Sequence, residues 1–117
     1  MKDPALIKQF ISGNYPTKEV DLGEDGVFVV KFPSGEENNQ IARLAAARLN
    51  GMSRESFSVS HLIKIDRDAT LDIVVSDYPD TFPSQWEKNF TDYPNEEVKN
   101  AIKKAFDRFC RETEKRI

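Results

Sequence analysis

Residues able to act as catalysts or metal ligands are sparse in this chain of 117 residues. His61 is the single histidine and Cys110 is the single cysteine, which excludes a metal site built on two histidines or on a cysteine cluster. A nucleophile would have to be Cys110 or a serine, yet Cys110 stands on a predicted charged helix and no second histidine is present to orient a relay. We therefore interpret Cys110 as a structural thiol and His61 as a partly buried or surface residue.

Paired acidic residues offer the remaining route to catalysis, since two carboxyl groups can act as general acid and base. The sequence contains three such pairs: Glu36 with Glu37, Asp66 with Asp68, and Glu96 with Glu97. The glutamate pairs stand at predicted helix starts, where the helix dipole accounts for them, and the aspartates stand among charges predicted to be exposed. The glycines match neither spacing of a phosphate-binding loop. We expect no catalytic residue, no metal and no cofactor, and thus a protein that is not an enzyme.

Length and charge narrow the function further. A chain of 117 residues suits a single domain, residues 1–117, with one hydrophobic core. Seventeen basic and twenty acidic residues give a net charge of −3, which argues against nucleic acid and anionic membranes as partners. Basic residues slightly outnumber acidic ones from Glu96 to Ile117, and the charged side chains of a solvated helix face explain this small excess. No apolar run approaches a membrane span and the start lacks a secretory signal, so we expect a cytoplasmic protein.

The residues discussed above must be held in place by helices and strands, and several of these have clear start and stop signals in the sequence. Asp3 before Pro4 predicts a short first helix that ends at Ser12-Gly13-Asn14. Residues 19–22 and 27–32 read as two strands joined by the turn at 23–26, and Ser34 with Glu37 forms a capping box for a helix that stops at Asn50-Gly51. The predicted fold is α+β and mainly α: a small N-terminal two-stranded β-hairpin followed by three to four helices.

The second half of the chain is less clearly patterned. Residues 53–77 fit both a strand-like alternation and a helical stripe; we favour a helix over about residues 60–77, ended by Pro79. Ser84 and Glu87 offer a second capping box for a short turn, and Asn95 is expected to cap the last helix. This turn lies within an aromatic connector that runs from Tyr78 to Tyr93. Its rings are expected either to cover the core or to line a groove for a partner's helix, with Phe82, Trp86, Phe90 and Tyr78 as candidate partner-binding residues.

The order of these features resembles the tail assembly chaperones of long-tailed bacteriophages. The resemblance covers about residues 27–110. It rests on Phe32-Pro33-Ser34-Gly35 before an acidic helix start, on the helix that closes at Gly51, on Ala69-Thr70-Leu71-Asp72 leading to Tyr78-Pro79, on Trp86, and on the charged last helix. It implies a small, acidic, mostly helical protein without catalytic residues, encoded by a phage or prophage. Such proteins coat the tape measure protein and help to recruit tail tube subunits.

The leading interpretation is therefore a virion morphogenesis factor in the host cytoplasm whose partners are the tape measure and tail tube proteins. Two alternatives stay open. One is a virion structural protein, such as a connector or tail completion subunit; the other is a small nucleic-acid-binding regulator that uses the basic face of the last helix. The sequence leaves homo-oligomerisation open.

Overall fold

The N-terminal elements follow their local sequence signals. The computed structural model describes residues 2–117, and its first helix, α1 (Pro4–Ile11), is capped by Asp3, whose carboxylate accepts the N–H groups of Ala5 and Leu6. Strands β1 (Thr17–Asp21) and β2 (Val27–Lys31) then pair antiparallel, with Val20 opposite Phe28. The predicted hairpin is thus confirmed.

The turn between β1 and β2 depends on Gly26. This residue has φ of 92°, a conformation that side chains disfavour, and a Cβ atom there would lie 2.5 Å from Cβ of Pro79. Gly26 therefore lets the hairpin turn pass directly against Pro79.

The middle of the chain forms two helices, which were predicted, and one strand, which was not. Helix α2 (Gly35–Ala47) begins with the predicted capping box, and helix α3 (Val59–Val74) resolves the ambiguous segment as helical. Strand β3 (Val75–Asp77) follows α3 without a loop and pairs antiparallel with β2, which completes a three-stranded sheet in the order β1-β2-β3. The helix predicted to reach residue 77 is therefore too long. Val75 is 2% exposed, so burial against the hairpin favours the extended conformation.

The C-terminal part consists of the connector, residues 78–95, and helix α4 (Glu96–Arg116). Asn95 caps α4 as predicted, since its side-chain oxygen accepts the N–H of Val98 at 3.1 Å. The capping box predicted at Ser84 is wrong: residues Ser84–Trp86 form only a 3-10 turn without a side-chain cap. None of the helices in residues 2–117 is long and apolar enough to cross a membrane.

Two packed clusters hold the elements together. The larger one joins the sheet, the second half of α3, the connector and α4, and includes Phe28, Leu71, Phe90 and Ile102. The smaller one lies between α2 and α3, where Ala45 and Ala69 allow the two helices to approach closely. Helix α3 therefore packs on two sides: against α2 in the smaller cluster, and against the sheet, the connector and α4 in the larger one.

Candidate functional site

The aromatic residues of the connector lie mainly in the core. Phe90 is 0% exposed and Phe82 is 9% exposed, while Tyr78 and Trp86 are half-buried. Ring centroids lie 5.0 Å apart for Tyr78 and Phe82, and 5.2 Å apart for Trp86 and Tyr93. Of the four candidate partner-binding residues, only Tyr78 and Trp86 thus present appreciable surface to a partner in this conformation.

Tyr78 also fixes the path of the connector. Its hydroxyl oxygen accepts the backbone N–H of Lys88 at 2.8 Å, and burial raises the pKa of this hydroxyl. The ring meets Phe28 of β2 edge to face, with centroids 6.2 Å apart. The bond and the ring contact together tie the middle of the connector to the sheet.

A buried charge network lies where α3 meets the start of α4. We define this charge network as Arg67, Asp68, Asp72 and Lys99, all at most 6% exposed, with the more exposed Arg48, Glu96 and Asn100 at its edge. Arg67 Nε donates to Asp68 at 2.9 Å, and its terminal nitrogens donate to Asn100 and Glu96 at 3.0 Å. Charges this deeply buried are stable only when they are paired, as these are.

Asp72 and Lys99 hold the backbone of Phe90 from opposite sides. The N–H of Phe90 donates to Asp72 at 2.8 Å, and the ammonium of Lys99 donates to the carbonyl of Phe90 at 2.8 Å. Arg48 from the end of α2 pairs with the other oxygen of Asp72. Burial raises the pKa of Asp72, although the bonds from Phe90 and Arg48 oppose this shift. The charge network therefore fastens the connector to α2, α3 and α4.

An open cleft of about 550 Å³ lies over the charge network, and its walls include Arg48, His61, Lys64 and Thr91. The carboxylates of the network are occupied: Asp68 is bound to Arg67 and Lys99, Asp72 to Phe90 and Arg48, and Glu96 to Arg67, Lys99 and Lys64. His61 is exposed, and its ring stacks on Phe57 at 5.2 Å. Each of these carboxylates therefore has a partner, and the contacts of the network hold structural elements together.

The sequence reasoning placed Asp68 among exposed charges, and this was wrong. Asp68 is 6% exposed, whereas its neighbour Asp66 stays near the surface and pairs with Arg54 at 3.1 Å. A signal was present: Asp68 and Asp72 are four residues apart, so they lie on one face of α3 beside the apolar Ala69 and Leu71. Two acids on an otherwise apolar helix face need cations beside them: Arg67 and Lys99 pair with Asp68, and Arg48 pairs with Asp72.

Glu96 gives the charge network a measurable acid sensitivity. Hydrogen bonds from Lys99 and then from Arg67 lower its pKa from 4.5 to about 2. Because the folded pKa is depressed, this stabilisation is present above pH 4.5 and is lost as the pH falls towards 2. Glu96 is partly exposed, so solvent screening limits the effect to roughly 1 kcal/mol.

We expect Glu96→Gln to flatten the pH dependence of the free energy of unfolding in this acid range. Urea unfolding at pH 7 and near pH 3 measures the difference. Glu97→Gln is the matched control, because Glu97 makes no ion pair within residues 2–117. An equally steep loss in the wild type and in Glu96→Gln would contradict the assignment.

Metal binding and thiol chemistry find little support in the arrangement of side chains. Within residues 2–117, no group of three or more His, Cys, Asp and Glu side chains could hold a metal ion. Cys110 packs at the edge of the larger cluster, and burial, followed by Glu114 and Asp107, raises its pKa to about 11. Since the thiolate is the reactive form, this cysteine is a poor nucleophile near neutral pH.

The exposed side of α3 carries a feature of a different kind. Val59 and Ile63 are 73% and 62% exposed, and they stand one turn apart on the same face of the helix. Ile63 borders a second groove, between α3 and α4. The sequence analysis did not single out this pair, because periodicity alone left residues 53–77 ambiguous between strand and helix.

Searches for similarity add no outside information on these sites. No protein-family model, curated protein or solved structure matches the chain.

Proposed function

We propose that this protein is a non-enzymatic protein-binding factor that acts as a tail assembly chaperone of a bacteriophage or prophage. In this role it binds the tape measure protein, keeps it soluble and promotes assembly of the tail tube around it. The resemblance between residues 27 and 110 and this class of chaperones motivates the choice of partner. The observation that supports binding of a protein chain is the exposed pair Val59 and Ile63 on α3.

Exposed β-branched residues one turn apart are suited to contact with an apolar helix. Each side chain would gain on the order of 1.5–3 kcal/mol if it became fully buried, and α3 offers them on a regular helix whose opposite faces are fixed in the core. Such a helix needs little reordering when it binds, so the part of the entropic cost of association that comes from ordering the binding surface is small. This surface is thus prepared to accept an amphipathic helix of a partner.

Coexpression with the tape measure protein of the same gene cluster tests the proposal. We expect the tape measure protein to be soluble and to co-purify with this chain, and to aggregate when expressed alone. Mass spectrometry of finished tails should then find no copies of the chain, because a chaperone is released. Failure of co-purification would contradict the proposal, and retention in tails would favour the virion-component alternative.

A pair of substitutions in the same assay locates the binding surface. Ile63→Ser should reduce capture of the tape measure protein without changing the thermal midpoint, because Ile63 is mostly exposed. Trp86→Ala tests the connector, where the half-buried ring packs on Tyr93. Capture that depends on Trp86 alone would place the partner on the connector instead of on α3.

A further inference from the structure

The groove between α3 and α4 has a volume of about 460 Å³ and is open along one side. We call it the α3–α4 groove and define it by Ile63, Asp66 and Thr70 on α3 and by Lys104 and Arg111 on α4. It is separate from the cleft over the charge network, which opens towards α2. None of the contacts described above involves Lys104 or Arg111.

Ion pairs already neutralise part of the groove. Asp66 is bound by Arg54 at 3.1 Å, and Lys103 binds the carboxylate of Asp107 at 2.8 Å. Arg67 reaches the groove from below, but its guanidinium is committed to the charge network. The acidic side chains of the groove therefore each have a cation beside them.

Two cations remain without an acidic partner. Within residues 2–117, neither Lys104 nor Arg111 forms an ion pair, and both are exposed. They are seven residues apart on α4, about two helical turns, and so they project from the same side of the helix into the groove. On a protein of net charge −3, this gives the α3–α4 groove a local positive edge.

The α3 side of the groove carries one exposed apolar residue among polar ones. Ile63 lines it together with Asp66, Arg67 and Thr70, and Val59 extends the face of Ile63 by one turn beyond the groove. An occupant would therefore meet exposed branched aliphatic side chains of α3 and two free cations of α4. This combination differs from a nucleic-acid surface, which would carry a stronger positive excess.

We infer that the α3–α4 groove binds an acidic amphipathic helix of a partner protein. The apolar face of that helix would rest on Val59 and Ile63, and its carboxylates would pair with Lys104 and Arg111. The inference rests on the proposed function, since it names the surface and the chemistry of the partner that the proposal requires. Apolar contact supplies most of the affinity, and the charges select acidic helices over basic ones.

A synthetic helix provides a probe that does not depend on the identity of the partner. The peptide has about 20 residues, enough to form a helix, with leucines on one face and glutamates beside them. A second peptide carries lysine in place of each glutamate. We expect the acidic peptide to bind with chemical-shift changes at Ile63, Lys104 and Arg111, and the basic peptide to bind at least about tenfold more weakly.

Variants then assign the contacts. Combined Lys104→Glu and Arg111→Glu should weaken the acidic peptide about tenfold, with greater loss at low salt, and Ile63→Ser should also weaken it about tenfold. Arg108→Glu is the matched control, because Arg108 is an exposed cation on the same helix that faces β1 instead of the groove. Equal effects of Arg108→Glu and of the groove variants would overturn the inference.

The outcomes separate this inference from the proposed function. Capture of the tape measure protein that is indifferent to every groove variant would overturn the groove and leave the chaperone proposal standing. Specific binding of the acidic peptide without capture of the tape measure protein would support the groove and count against the chaperone role. Binding of a DNA duplex that depends on Lys104 and Arg111 but not on Ile63 would overturn the inference in favour of a nucleic-acid partner.

Discussion

Replacing Lys99 with alanine is expected to lower the free energy of unfolding by about 3–5 kcal/mol, because it strands buried charges. The Lys99 side chain is 3% exposed, lies 2.7 Å from Glu96 and 3.5 Å from Asp68, and donates to the carbonyl of Phe90. Without the ammonium, Asp68 keeps only Arg67, and the buried carbonyl of Phe90 loses its donor. Urea unfolding of the purified protein at neutral pH measures the loss.

Two further variants identify the cause of that loss. Lys99→Met keeps much of the side-chain volume but removes the charge, so an effect close to that of alanine would assign the stability to pairing and not to packing. Lys103→Ala is the control on the same helix, since the Lys103–Asp107 pair is partly exposed and worth only about 0.3–0.5 kcal/mol. If Lys99→Ala cost no more than Lys103→Ala, the charge network would not stabilise the fold.

Replacing Phe90 with alanine should cost a similar amount, about 3–5 kcal/mol, for a different reason. Phe90 is 0% exposed and packs against Phe82, Tyr78 and Tyr93, with ring centroids 5.8–6.1 Å away. Alanine leaves a cavity in the larger cluster but keeps the backbone groups that Asp72 and Lys99 hold. Thermal and urea unfolding measure the effect of the ring apart from that of the charges.

Phe57→Ala is the matched control for the ring, because Phe57 is only partly buried at the edge of the smaller cluster. Phe57→Ala should lower the free energy of unfolding clearly less than Phe90→Ala does. The decrease caused by Phe90→Leu should lie between these two values. A stable Phe90→Ala protein that no longer captures the tape measure protein would contradict the core role and restore Phe90 as a partner-binding residue.

The connector is therefore best understood as a cover over the core that the charge network fastens in place. Phe82 and Phe90 close the larger cluster, and the backbone of Phe90 is held by Asp72 and Lys99 from two different helices. This arrangement adds to the local turn hydrogen bonds of the connector, such as those from the N–H of Phe82 to Pro79 and from the N–H of Tyr93 to Phe90, and holds the aromatic segment against the core. On α3, Val59 and Ile63 remain exposed, and Ile11 and Met52 are exposed apolar residues elsewhere in the chain.

The sequence alone determined the elements whose signals are local. Asp3, Ser34 and Asn95 cap helices because each places an oxygen next to backbone N–H groups a few residues ahead, and no other part of the chain is needed for that geometry. The hairpin is equally local, since its two strands adjoin their turn. The fold class and these starting points could therefore be predicted.

The tertiary structure decided everything that depends on partners distant in the chain. Strand β3 forms because β2 offers an unpaired edge to Val75, and Asp68 is buried because Lys99 and Arg67 arrive beside it. Helix α3 is apolar on several faces, so periodicity could not tell which residues pack inward. The packing of α2, the sheet and α4 around α3 buries Ala69 and Leu71 and leaves Val59 and Ile63 in solvent, and that choice is what creates the candidate binding surface.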